Sequence, residues 1–98
     1  MVPIAPRSEA KLHEMHKKVN NPPPVDKLAQ VAPAIIRWEG ELKEYYKAGG
    51  DPMPDKTKII NAMGILPASA PGSLRLILKG ITVYENFKYE LDEQIRFL

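Results

Sequence analysis

The sequence contains no cysteine. Disulfide bonds, thiolate metal sites and cysteine nucleophiles are therefore excluded, and the composition permits a reducing, intracellular compartment. The sequence also lacks an uninterrupted run of about 18 apolar residues, the length needed to span a bilayer. Residues 1–7 are too few and too rich in proline to be the apolar core of a secretory signal peptide. We therefore expect an intracellular, cytoplasmic protein without a membrane span.

Neither charge is in strong excess. Fourteen Lys and Arg side chains stand against 12 Asp and Glu side chains, for a formal net charge of +2. The charge is unevenly distributed, because residues 1–30 are more basic than acidic, whereas residues 81–98 carry four acidic and two basic groups. Such a balance does not make nucleic acid an obligatory partner. It indicates a surface that is mildly basic early in the chain and acidic late.

Recognisable catalytic chemistry is also missing from the sequence. His13 and His16 are three residues apart, but without a third nearby ligand they make a poor metal site. Four of the hydroxyl residues stand where helix caps and turns favour them, outside any nucleophile elbow: Ser8, Ser69, Ser73 and Thr82. We therefore predict that the protein is not an enzyme and has no catalytic residue, metal site or cofactor.

The clearest pattern is a helical hairpin between Trp38 and Leu66. Its first helix ends at Gly49-Gly50, because glycine accepts the left-handed conformation that helix C-termini need. Asp55 follows two prolines and is expected to cap the second helix. Apolar side chains at intervals of three and four define the buried faces of the two helices: Ile35, Trp38, Leu42 and Tyr45 in the first, and Ile59, Ala62, Met63 and Leu66 in the second.

Proline divides the chain before this hairpin. Residues 1–7 are predicted to be an extended arm, since proline fixes φ, and Ser8 is expected to cap a short helix over residues 9–19. The run 22–24 predicts a stiff proline spacer, and a ligand for an aromatic-lined groove is the less favoured alternative. Pro33 is expected in the first turn of the main helix, in preference to a kink inside a longer one.

Two further helices are predicted after Leu66-Pro67. Ser73 can cap the first, which ends near Lys79 with three side chains directed inward: Leu74, Ile77 and Leu78. Thr82 and Glu85 fit a capping box at the start of the second. That helix carries an apolar stripe of Tyr84, Phe87, Leu91, Ile95 and Leu98. Because the pattern still runs at Leu98, we expect either a longer natural polypeptide or packing of this end against another surface.

These elements predict an all-α fold, a small bundle of four to five helices with a proline-rich extended N-terminal arm. We assign residues 1–24 to the arm with its one short helix, and residues 25–98 to a helical domain. No segment alternates with period two over a useful length. A chain of 98 residues can form one small domain with a modest core.

Several features follow one another along the helical domain: Trp38-x-x-x-Leu42-x-x-Tyr45-x-x-x-Gly49-Gly50, Pro54-Asp55-x-x-Lys58, Leu66-Pro67 and Tyr84-x-x-Phe87. In this order they resemble the Gag capsid-like region of copia-type LTR retrotransposons. The resemblance implies a non-catalytic protein that self-associates into shells. It also implies a set of core residues: Trp38, Leu42, Tyr45, Leu66 and Phe87. The chain departs from a full Gag, because it has no cysteine-rich zinc knuckle and its length fits only part of a capsid.

Three functions follow from these observations. We favour a protein–protein association module, acting in self-assembly or as a structural subunit of a larger complex. The second is a nucleic-acid-binding domain that uses Lys11, Lys17, Lys18 and Lys27. A base-stacking platform of Tyr45 and Tyr46 with Lys43 and Lys47 is ranked below core packing for the same tyrosines. The third is an accessory subunit unrelated to retroelements, which would share the all-α fold.

Overall fold

The computed structural model describes the backbone of residues 4–97 and the side chains of residues 9–97. Within these residues it contains a 3-10 turn at Leu28–Gln30, no strand, and five α-helices: α1 (Ile4–Val19), α2 (Val31–Lys47), α3 (Asp55–Met63), α4 (Gly72–Lys79) and α5 (Tyr84–Arg96). The prediction of an all-α bundle is confirmed.

The N-terminal helix begins earlier than the sequence predicts. Residues 1–3 lie outside the described part of the chain, and residues 4–7 belong to α1, so the extended conformation predicted for 1–7 is wrong for those four. Pro6 falls in the first turn of α1. The N–H groups of a first turn have no partner within the helix, so the missing donor of proline costs nothing there.

One core runs through all five helices. The five core residues implied by the capsid-like resemblance are all buried: Trp38, Leu42, Tyr45, Leu66 and Phe87. Any helical bundle would bury these side chains, so their positions confirm the packing alone. The stripe of α5 is confirmed for Tyr84, Phe87 and Leu91, while Ile95 is partly buried against the core and Leu98 lies outside the described residues.

Trp38 joins α1 to α2. Its indole Nε1–H donates a hydrogen bond to the backbone oxygen of Val19, at 2.8 Å. Val19 is the last residue of α1, and the final carbonyls of a helix have no partner within it. The indole therefore satisfies an otherwise unpaired group while its ring fills the core. Nearby, His16 Nδ1 lies 3.0 Å from the hydroxyl oxygen of Tyr45, which adds a second link between the helices.

Both ends of α2 are stabilised by residues that are close to them in the sequence. Pro33 is its third residue, which confirms the predicted first-turn position. Before the helix, Gln30 Oε1 accepts from the backbone N–H groups of Asp26 and Lys27 at 3.1 and 3.0 Å, so a glutamine side chain holds the turn. At the other end, Gly49 has φ +105°, and the N–H of Gly50 donates to the oxygen of Tyr45 at 2.9 Å. This is a Schellman ending, as the glycine pair predicts.

Three details of the C-terminal helices differ from the prediction. The predicted Ser73 cap does not form, because α4 begins at Gly72 with Pro71 as its N-cap. Ile77 is exposed, and only Leu74 and Leu78 of α4 are buried. The predicted capping box of Thr82 with Glu85 does not form, because α5 begins at Tyr84 with Val83 as its N-cap and no side-chain cap from that residue. The carboxylate of Asp55 accepts from the N–H of Tyr84 instead, so a side chain from α3 caps α5.

Candidate functional site

The N-terminal half of α2 and the length of α5 enclose an apolar groove of about 480 Å³. Its floor is formed by core side chains, among them Val31, Ile35 and Leu91. Two further lining residues, Ala29 in the 3-10 turn and Ala32 in α2, have only a methyl group as side chain. The groove exists because such small side chains cannot fill the space between the two helices.

Two large apolar side chains stand at the rim of this groove. Ile36 of α2 is 69% exposed and Tyr89 of α5 is 67% exposed, and both line the groove. Scattered exposed apolar residues are normal on protein surfaces. Two that border the same apolar recess form a continuous patch, and such patches mark interaction sites. We call this surface, comprising Ile36, Tyr89 and the groove between α2 and α5, the α2/α5 face.

A polar cluster fixes the distance between α2 and α5 beside the groove. Glu39 Oε2 accepts from the Tyr84 hydroxyl at 2.7 Å and from Lys88 Nζ at 2.9 Å. The Lys88 ammonium also lies 5.6 Å from the centre of the Tyr84 ring, and that of Lys58 lies 5.3 Å from it, both within cation–π range. Because Glu39 is on α2 and its two donors are on α5, the cluster sets the width of the groove.

The cluster shifts two ionisations. Burial raises the pKa of the Tyr84 phenol well above its ordinary value, and the hydrogen bond and negative charge of Glu39 raise it further. The hydrogen bond to Glu39 raises the pKa of the Lys88 ammonium, against the opposing effect of its partial desolvation. At neutral pH the phenol is therefore neutral and the ammonium charged. In these states both groups donate hydrogen bonds to Glu39 and connect α5 to α2.

The α2/α5 face was not singled out by the sequence interpretation, although a signal for it exists. Ile36 falls outside the buried stripe of α2, which contains Ile35, Trp38 and later residues, and Tyr89 falls outside the stripe of α5. Packing of the core does not explain a large apolar residue that lies outside the buried stripe. The signal in the sequence is therefore two such residues, Ile36 and Tyr89, on helices that the fold makes neighbours.

The residues proposed for nucleic-acid contact are differently placed. Tyr45 is buried, as the favoured core packing predicts, and the Tyr46 hydroxyl accepts from the backbone N–H of Met53 at 3.0 Å, so the less favoured stacking platform of both tyrosines does not form. Lys18 lies 3.4 Å from Glu41 in an ion pair on the surface. Lys11 and Lys17 are exposed on α1, while Lys27 precedes the 3-10 turn.

The two histidines are both exposed on α1. His16 also contacts the hydroxyl of Tyr45. Over residues 9–97 the structure brings together no group of three or more His, Asp or Glu side chains that could hold a metal ion. None of the helices in the described part of the chain combines the length and the apolar character that a bilayer crossing requires.

Comparisons of the chain with protein-family models, with curated proteins and with solved structures give no match. The capsid-like resemblance of residues 25–98 therefore stays a prediction carried by those residues. On the α2/α5 face, two large exposed apolar side chains border an apolar recess, which makes this face the candidate site.

Proposed function

We propose that this protein is a non-catalytic association module, that it assembles with copies of itself, and that the α2/α5 face is the contact surface. The observation that carries the proposal is the exposure of Ile36 and Tyr89 at the rim of an apolar groove. The core is complete without them. Removing such side chains from water is favourable by about 25 cal/mol per Å² of apolar area, and tyrosine is enriched at the energetic centres of interfaces.

The size of the face predicts a weak contact. α5 has 13 residues, which gives a length of roughly 20 Å at 1.5 Å per residue. Two helices side by side then present about 400 Å² per copy, roughly half of the 800 Å² typical of a stable complex. We therefore expect association in the micromolar range or weaker, which becomes effective when several contacts act together.

A non-catalytic role is supported by the polar cluster beside the groove. Burial and then Glu39 raise the pKa of Tyr84, and the hydrogen bond to Glu39 raises the pKa of Lys88. Their hydrogen bonds are satisfied within the cluster. They hold helices together, and a neutral phenol with a permanently charged ammonium is a poor proton-transfer pair near neutral pH. As part of the same proposal, the protein acts inside the cell, in the cytoplasm, as its lack of cysteine permits.

A capsid-like identity is the narrower form of this proposal. It is supported by the order of Trp38, Gly49-Gly50 and Leu66-Pro67 along an all-α chain, and self-assembly is what the resemblance implies. An accessory subunit unrelated to retroelements would differ in its native partner, so mass spectrometry of the native assembly separates the two. Nucleic-acid binding is less favoured, because Tyr45 and Tyr46 are committed to internal contacts and Lys18 to Glu41.

Sedimentation velocity over a concentration series from about 10 µM to 1 mM tests the proposal, because this range brackets the expected affinity. We expect the average mass of the wild-type chain to rise with concentration. The variants Ile36→Asp and Tyr89→Asp should stay monomeric, since each places a charge in the apolar contact. The matched control is Ile60→Asp, because Ile60 is exposed and apolar but does not line the groove.

Two results would contradict the proposal. One is a wild-type chain that is monomeric over the whole range. The other is association of both groove variants at the wild-type concentration. Circular dichroism of each variant shows that the helices are retained, and all three substituted side chains are exposed in the monomer, where exchanges usually change stability by less than about 0.5 kcal/mol.

A further inference from the structure

A second apolar surface lies on α4. Leu76 is 72% exposed and Ile77 is 45% exposed, although Leu74 and Leu78 of the same helix are buried. At 3.6 residues per turn Leu76 points away from the buried pair, with Ile77 at its side. No residue of α4 lines the groove between α2 and α5. Among the described residues, the exposed apolar side of α4 is therefore a surface separate from the groove.

The two surfaces differ in charge. Residues 67–80, which include α4, carry Arg75 and Lys79 and no acidic residue. α5 carries four acidic and two basic side chains. Of the charged residues that line the groove, Glu85 and Asp92 are acidic, and the one lysine, Lys88, is held by Glu39 at 2.9 Å. Asp92 shares its charge with Arg96 in an exposed pair, and such pairs are weak.

From this complementarity we infer that α4 of one copy lies in the α2/α5 groove of the next copy. The inference rests on the proposed self-association and names its second surface. Leu76 and Ile77 enter the apolar recess between Ile36 and Tyr89, as the apolar face of a helix does in groove recognition. Lys79 then lies on the acidic side of the groove, where opposite charges favour encounter and fix orientation.

Such a contact has a consequence for the assembly. Each copy uses one surface to bind the preceding copy and a different surface to bind the following one. A heterologous contact of this kind produces a ring if the rotation closes and a filament if it does not. A contact between two α2/α5 faces would be isologous and would stop at a dimer. The two arrangements are distinguished by whether α4 takes part.

A mixing experiment tests the inference. The variant Leu76→Asp has an intact groove and a defective α4, and Ile36→Asp has an intact α4 and a defective groove. Each alone should be monomeric in sedimentation velocity, with association weakened at least tenfold. Mixed in equal amounts, the two should form a 1:1 dimer that does not grow, because one competent α4 meets one competent groove in each pair. Ile60→Asp serves as the control and should assemble as the wild type does.

Other outcomes of these sedimentation experiments distinguish a failure of the α4 contact from a failure of the proposed self-association. If Leu76→Asp assembles like the wild type while Ile36→Asp does not, the role of α4 is overturned and the proposed use of the α2/α5 face stands. If Ile36→Asp and Tyr89→Asp also assemble, or the wild type does not, the proposed function itself fails. Raising the salt concentration gives a second readout, because a charge-assisted contact weakens as the ions are screened. Association that strengthens steadily with salt would contradict the role of Lys79.

Discussion

The carboxylate of Asp55, the first residue of α3, accepts a hydrogen bond from the backbone N–H of Tyr84, the first residue of α5, at 3.0 Å. The N–H groups of a first helical turn have no partner within the helix, and a negative charge there also interacts favourably with the helix dipole. One side chain therefore caps a helix that begins 29 residues later in the chain. The start of α5 depends on the packing of α3.

Replacing Asp55 with alanine should lower the free energy of unfolding by about 1 kcal/mol, the usual cost of losing an N-cap. Thr82→Ala is the matched control, because Thr82 stands where the sequence predicts a cap but is exposed and makes no cap to α5. It should change stability by less than about 0.5 kcal/mol. Urea denaturation followed by circular dichroism measures both. A larger effect from Thr82→Ala than from Asp55→Ala would contradict the assignment.

The two glycines after α2 should respond differently to substitution. Gly49 has φ +105°, so alanine there is strained by roughly 1–2 kcal/mol, and asparagine less. At Gly50 an added Cβ would overlap the ring of Tyr45, and the cost of overpacking is about 1–3 kcal/mol. Gly40 is the control, since a Cβ there meets nothing within 4 Å. Gly40→Ala should raise stability by about 0.5–1 kcal/mol.

Thermal denaturation of the three alanine variants checks this order. Gly40→Ala should melt above the wild type, and Gly49→Ala and Gly50→Ala below it. Stability gained by Gly50→Ala would mean that the Tyr45 ring does not lie against Gly50 as described.

Much of the fold follows from local rules that the sequence displays directly. The stripe of Ile35, Trp38 and Leu42 predicts the buried face of α2, and the glycine pair predicts its end, because both depend on residues close together in the chain. The position of Pro33 in a first turn follows from the same kind of rule. These features depend on residues that are close together in the chain.

The errors arise where a distant residue takes over a local role. Thr82 and Glu85 satisfy the local pattern of a capping box, but Asp55 reaches Tyr84 from another helix. Periodicity alone places Ile77 on the inward side of α4. That helix has only eight residues, however, and it buries only Leu74 and Leu78. The groove could not be predicted either, because it depends on which helices become neighbours. Its rim residue Ile36 was visible only as an apolar side chain off the stripe.

Trp38 should be the residue on which the docking of α1 depends. Trp38→Phe keeps an aromatic ring but removes the hydrogen bond to the Val19 oxygen. An unsatisfied buried carbonyl costs about 1–3 kcal/mol. Hydrogen exchange should therefore show lost protection in α1 before the rest of the bundle. Lys18→Ala, which removes only the surface pair with Glu41, is the control and should leave exchange in α1 near its wild-type rate. Equal loss of protection throughout the chain would contradict this local role.

The cluster of Glu39, Tyr84 and Lys88 predicts the response to alkaline pH. The pKa of Tyr84 is raised above its ordinary value of about 10, so the unfolded chain loses this proton at a lower pH than the folded one. The stabilisation is fully present below that ordinary value and is lost as pH rises above it. Lys88, whose pKa is also raised, acts in the same direction.

The free energy of unfolding should therefore fall as pH increases from about 9 to 11. Tyr84→Phe removes the phenol and should make this fall less steep, leaving the part due to Lys88. Tyr89→Phe is the matched control, because that hydroxyl belongs to an exposed ring outside the cluster. It should leave the wild-type dependence unchanged. Urea titrations at several pH values measure the slopes, and the same slope in Tyr84→Phe and the wild type would show that the phenol is not held by Glu39.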